Sequence, residues 1–168
     1  MLFVKKFEVP FAKEKITFEL PDEQVAGVLL SRAHEYKAPK SEAELVAAAL
    51  ANPIGAPRLS ELAKGKRTCT IISSDHTRPV PSHVIMPQLL AELRRGNPDI
   101  EITILVATGM HRPTTHEELV DKYGAEIADR EHIVIHQSRI DEDMVSIGTL
   151  PSGGECLLNK WPLIRIFS

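Results

Sequence analysis

Cysteine is nearly missing from this sequence: Cys69 and Cys156 are the two in 168 residues. Cys69 falls in a β-branched apolar run, where a small buried thiol is common, so no structural disulfide is expected. An excess of either charge is missing as well. Twenty basic against 23 acidic residues leave a net charge of -3, which gives no electrostatic case for a nucleic acid or a membrane surface as partner. Long apolar runs are absent. The start, Met-Leu-Phe-Val-Lys-Lys-Phe-Glu-Val, interrupts each apolar stretch with charge, so neither a signal peptide nor a membrane span is expected and the chain is read as cytoplasmic. No internal repeat or low-complexity linker is visible, and 43% hydrophobic content suits one globular domain with a real core.

What is present is organised around residues 68–81, Thr-Cys-Thr-Ile-Ile-Ser-Ser-Asp-His-Thr-Arg-Pro-Val-Pro. Residues 68–73 are β-branched and apolar without a helical period, as in a buried strand of a parallel sheet. Asp75, His76, Thr77 and Arg78 follow at once. Pro79 and Pro81 then mark a helix start, since proline is tolerated in a first turn but not deeper. A turn at the carboxyl end of a strand in an open α/β sheet is where ligands sit, and the N–H groups of the next helix are expected to help hold an anion there.

A second turn of the same kind follows residues 101–106 (Glu-Ile-Thr-Ile-Leu-Val). It reads Ala107, Thr108, Gly109, Met110, His111, Arg112, Pro113, again placing an imidazole and a guanidinium after an apolar strand. His111 is therefore the histidine with a candidate role, since an imidazole is the usual group for moving a proton to and from a hydroxyl. His132 and His136 lie on a predicted strand, where four residues span about 13 Å, too far to share one metal ion. His34 and His83 have no companions near them in sequence, and His116 reads as a polar surface residue.

In chain order, alternation over 2–9 and 15–20 predicts an antiparallel hairpin, and 24–30 is equally compatible with strand or helix. Ser41 with Glu44 makes a capping-box pattern opening a helix to about residue 51, and 58–64 reads as a second helix between Pro57 and Gly65. Residues 82–95 carry apolar side chains at helical spacing but contain Pro87, which predicts either a bend or a late start of the regular helix. Gly96, Asn97 and Pro98 stop it. Thr115 with Glu118 opens a further helix ended by Gly124, 131–136 reads as a third sheet strand, and 144–147 with 155–158 as a late hairpin. The fold class expected is α/β: a three-layer α/β/α core with a mainly parallel sheet, plus the N-terminal and the late β-hairpin.

The motifs Ser-Asp-His-Thr-Arg-Pro-Val-Pro at 74–81 and Ala-Thr-Gly-Met-His-Arg-Pro-Thr-Thr-His-Glu-Glu at 107–118, with Ala-Asn-Pro-Ile-Gly at 51–55, resemble the amino-terminal domain of the nickel-dependent lactate racemase family. The resemblance covers nearly all of residues 1–160. It implies an isomerase that interconverts stereoisomers of a small 2-hydroxy acid such as lactate, with a nickel-pincer nucleotide as hydride acceptor. It further implies that Asp75, His76, Thr77 and Arg78 hold the cofactor's nucleotide phosphate, that Arg78 also meets the substrate carboxylate, and that His111 is one of two acid/base imidazoles. No metal ligand is assigned to this chain.

Family members resembling this chain are more than twice as long, and beyond 156–160 they carry a second catalytic His, a Lys that tethers the cofactor and a nickel-ligating His. Here residues 161–168, Trp-Pro-Leu-Ile-Arg-Ile-Phe-Ser, read instead as an aberrant apolar tail, the mark of a truncated or frame-shifted form, with no strand or helix to join. The expectation is accordingly a domain over 1–160 that is inactive alone. It would otherwise be a non-catalytic anion-binding module or a subunit needing a second polypeptide, and either a homodimer burying the tail or aggregation is expected.

Overall fold

The computed structural model describes residues 3–164. By compactness the chain divides into Met1–Pro39 and Lys40–Ser168; the sequence reading placed no boundary within 1–160. In the first unit, β1 (Val4–Phe11) and β2 (Glu14–Pro21) pair antiparallel, with Phe7 opposite Phe18. Their rings stack at 5.5 Å, the cross-strand aromatic contact that stabilises an otherwise marginal ribbon. Asp22–Gln24 forms a single 3₁₀ turn, and most of 24–30, left open between strand and helix, is neither. Leu29 and Leu30 in that stretch are exposed.

The second unit opens with α1 (Glu42–Ala51), where Ser41 and Glu44 make the reciprocal capping box their spacing implies. It continues through α2 (Leu59–Ala63), β3 (Thr68–Ser74), α3 (Ser82–Gly96), β4 (Glu101–Ala107), α4 (His116–Tyr123), α5 (Ala125–Arg130), β5 (His132–Ile135), β6 (Met144–Thr149), β7 (Glu155–Asn159) and α6 (Lys160–Ile164). Strands β3, β4 and β5 form a parallel sheet with β4 central, and β6–β7 is an antiparallel hairpin with an irregularity between Ser146 and Thr149.

Alternation along β4 decides what each face meets. Ile102, Ile104 and Val106 point into the core with Met86, Leu90 and Leu93 of α3, Leu119 and Tyr123 of α4, and Ile127 of α5. Each fully buried aliphatic side chain contributes about 1.5–3 kcal/mol. The opposite face carries Thr103, whose register partner His132 lies 3.0 Å away through Nδ1. Trp161 of α6 packs edge-on against the His132 ring at 5.5 Å. Helices therefore lie on both sides of the parallel sheet.

Three readings are corrected here. The regular part of α3 begins at Ser82 and runs through Pro87 to Gly96, so the late start is excluded. Helix α5 went unforeseen because Gly124, at φ 91°, was read as the end of all helix, whereas it joins two short ones. The expectation that 161–168 had no element to join fails for its first part: Asn159 Oδ1 accepts the Trp161 N–H at 2.9 Å and starts α6. Pro162 falls in that helix's first turn, where no N–H is needed. Residues 165–168 of the expected tail, and Met1 and Leu2 at the other end, lie outside the described residues.

Candidate functional site

β3 and β4 are adjacent and parallel, with Ser74 opposite Ala107, so the two turns that follow them emerge side by side at one sheet edge. The first turn folds on Asp75. Its Oδ1 accepts the Thr77 N–H at 3.1 Å and the Thr77 hydroxyl at 2.7 Å, the local closure an aspartate offers at a turn. The second turn is tightened by the His111 N–H donating to the Thr108 carbonyl at 3.0 Å, with Gly109 at φ 56°, a backbone state that favours glycine. Thr108, buried, donates its hydroxyl to the His136 carbonyl and so fixes this turn to the end of β5.

The turns meet through Asp75 and His111. Nδ1–H of the imidazole donates to Asp75 Oδ2 at 2.5 Å, which sets the tautomer and leaves Nε2 as the free acceptor. Asp75 is 2% exposed while the His111 side chain is 44% exposed, a buried carboxylate orienting a half-open base. Burial opposes ionisation of Asp75, but the hydrogen bonds from Thr77 and His111 outweigh it and hold the carboxyl at about 2.

Helix α4 clasps both turns from beside them. Glu118 takes a bidentate pair from Arg112 at 2.9 and 2.6 Å and completes the Thr115 capping box. It also lies 3.6 Å from His76, whose Nδ1 is 3.1 Å from Thr114 Oγ1. One turn further along α4, Lys122 donates to Ser74 at 3.2 Å and Tyr123 to Ser73 at 2.8 Å.

Arg78 stands between two clefts. One, of about 400 Å³, is lined by Ile72, Asp75, Thr108, Met110 and His111. The other, of about 280 Å³, is lined by His76, His83, Glu118, Asp121 and Lys122. Among the described residues no carboxylate lies within 4.0 Å of the Arg78 guanidinium, whereas Arg58, Arg94, Arg95, Arg112 and Arg130 are all ion-paired. The following helix has fewer N–H groups to offer an anion than expected. Those of Ser82, Val84 and Ile85 already donate to the Val80 and Pro81 carbonyls, because the Pro-Val-Pro segment closes tightly on the helix start.

The structure thus brings Asp75, Thr77, Arg78 and His111 together and turns His76 toward α4. Glu118, Lys122, Thr108, Thr114 and His83 were missed as site neighbours. Glu118 carried a signal, as the capping-box acid, but the others announce themselves only through the packing of α4 and β5. His132 and His136 have separate partners, Thr103 and Asn159. His116 is an exposed residue 3.1 Å from Asp129.

The sequence is 56% identical over 153 residues to a lactate racemase of Lactiplantibacillus plantarum and 50% identical over 153 residues to one of Thermoanaerobacterium thermosaccharolyticum. In each case the match covers 91% of this chain and 36% of the relative, so the chain spans about a third of the length of these relatives. The structure superposes on the lactate racemase apoprotein of Thermoanaerobacterium thermosaccharolyticum with a TM-score of 0.79 at 47% identity, over 93% of this chain and 36% of that one. A Thermotoga maritima protein of known structure, at 24% identity and a TM-score of 0.52 over 61% of this chain and 28% of that one, shares the fold alone. With the sequence model of the lactate racemase N-terminal domain matching residues 11–163, the chain belongs to the lactate racemase N-terminal domain family.

Proposed function

We propose that this chain supplies one half of a 2-hydroxy-acid racemase site, of which lactate is the expected substrate. The observation that supports it most is the Asp75–His111 pair opening on the same cleft as the unpaired Arg78. A planar guanidinium recognises a carboxylate with two parallel hydrogen bonds. An imidazole held by its Nδ1 presents Nε2 to the α-hydroxyl next to that carboxylate. When Nε2 takes the hydroxyl proton, the buried Asp75 carboxylate stabilises the imidazolium formed, and return of the proton completes the exchange.

The nickel-pincer nucleotide of the family would supply the hydride acceptor that side chains lack. An anionic nucleotide fits a cleft whose guanidinium has no carboxylate partner among the described residues. Among the described residues no group of three or more His, Cys, Asp or Glu side chains could hold a metal ion, and no nickel ligand is assigned to this chain. Within the turn expected to hold the phosphate, Asp75 has both oxygens engaged and repels an anion. We assign that role to Arg78, with His76 lining the neighbouring cleft and Thr77 serving Asp75.

One imidazole serves one face of the substrate carbon, and we assign the second acid/base group to residues outside this sequence, on a further part of a longer chain, on a second polypeptide or on another copy in a homo-oligomer. Among the described residues no helix is long and apolar enough to cross a membrane, and cytoplasmic placement belongs to the proposal. The test is chiral chromatography of L-lactate incubated with this chain, nickel and the mature pincer cofactor, with and without a polypeptide bearing the remaining part of a family member. D-lactate is expected only with the added polypeptide and is lost with His111→Ala. No D-lactate under either condition, with anion binding intact, would favour the non-catalytic module.

A further inference from the structure

Lys122 is a lysine only 8% exposed, set on α4 with its ammonium 3.2 Å from the Ser74 hydroxyl. Ser74 immediately precedes Asp75, itself 2% exposed. The ammonium also lies 6.0 Å from the Tyr123 ring centroid, and a buried ammonium with neutral neighbours is unfavourable unless a negative charge lies nearby. Burial pushes the Lys122 amine down, and the Asp75 charge acts in the opposite direction. Tyr123, the next residue, hydrogen-bonds Ser73 at 2.8 Å, so α4 is fastened to the last two residues of β3 just ahead of the Asp75 turn.

We propose that Lys122 is a positioning residue for the proton-transfer pair: its buried ammonium balances the Asp75 carboxylate, so that Asp75 holds His111 as a neutral imidazole with its proton on Nδ1. This rests on the reading of His111 as a base. The charge accounting includes every element around the pair. From the first turn come His76 and Arg78, from α3 His83, from the second turn Arg112, and from α4 Glu118, Asp121 and Lys122. Glu118 is taken up by Arg112, and Arg78 is exposed and reserved for an anion. Lys122 is the buried cation, tied to Ser74 on the residue before Asp75. Without it, protonation of His111 becomes the nearest way to balance the carboxylate, and a protonated His111 accepts nothing from a hydroxyl.

The test reads protonation by NMR on the full chain, without cofactor or substrate, so its failure is distinct from a failure to racemise. In Lys122→Met the Asp75 carboxyl is expected to titrate higher, by on the order of one pH unit, and more of His111 is expected as imidazolium at pH 7 by its ring nitrogen shifts. Lys122→Arg should restore both. Ser74→Ala, which removes the hydrogen bond and keeps the charge, should leave both as they were. Equal effects of Lys122→Met and Ser74→Ala, or no effect of Lys122→Met, would overturn the proposal by reducing Lys122 to a structural tie. If Lys122→Met does not fold, the reciprocal measurement decides: Asp75→Asn should lower the pH at which the Lys122 amine titrates, and an unchanged amine rejects the pairing.

Discussion

Asp75 and His111 stand 36 residues apart in the chain and are joined side chain to side chain at 2.5 Å. The parallel pairing of β3 with β4 makes that meeting possible, since Ser74 and Ala107 are register partners and each turn starts from the same sheet edge. The pairing consumes Nδ1 of the imidazole and Oδ2 of the carboxylate, and Thr77 occupies Oδ1. The chemistry open to the pair is thereby reduced to one free nitrogen.

Acid should unfold the protein partly through this pair. Asp75 and Glu118 are both held at about 2, against 3.8 and 4.5 for the free groups. For Glu118 the Arg112 hydrogen bonds come first, then the Thr115 N–H. Folded carboxyls of lowered pKa bind fewer protons than unfolded ones between those values, so the stability they contribute is full above about 4.5 and is lost as pH falls toward 2. Urea unfolding followed by circular dichroism from pH 6 to pH 2 should show that decline, and Asp75→Asn should show a shallower one. An equal slope in the variant would remove Asp75 from the account.

Arg78→Ala should weaken the binding of phosphate or lactate at least tenfold. Hydrogen bonds to a charged group are worth about 1.5–3 kcal/mol each, and a few of them without a cofactor support millimolar affinity at best. Titration followed by amide shifts checks this. Retained binding in Arg78→Ala would move the anion to the cleft of His76 and Lys122.

Gly96→Ala should destabilise the protein by about 2–3 kcal/mol. A Cβ on Gly96 would stand 1.9 Å from the Ser60 carbonyl oxygen, so α3 could not stay packed against the start of α2. Chemical denaturation gives the figure. A loss below about 0.5 kcal/mol would mean that the two helices part without cost.

Trp161→Ala should cost about 2 kcal/mol, less than for a wholly buried ring because the residue is only half-buried. As the one tryptophan of the chain, it also reports on α6 by its own fluorescence. Removal of 161–168 should accordingly lower the melting temperature instead of improving solubility. A truncated chain as stable as the full one would detach α6 from the fold.

By itself the sequence determined the elements whose signals are local. β-branched runs marked β3 and β4, the spacings Ser41–Glu44 and Thr115–Glu118 marked two capping boxes that form as expected, and the two strand-end turns put Asp75, Arg78 and His111 on one edge. Those are properties of a few consecutive residues, and the chain carries them in any context. What needed the tertiary structure were relations between distant residues. Gly96 reads as a helix stop, yet its helix is capped at Asn97 with φ -149°, and it is the closeness of Ser60 that requires a residue with no side chain. Lys122 reads as one charge among 20, and only the docking of α4 on the sheet buries it behind Asp75. The resemblance to the racemase family implies a phosphate-holding role for Asp75. Folding spent its oxygens on Thr77 and His111, since a buried carboxylate is stable only when every lone pair facing the interior has a donor.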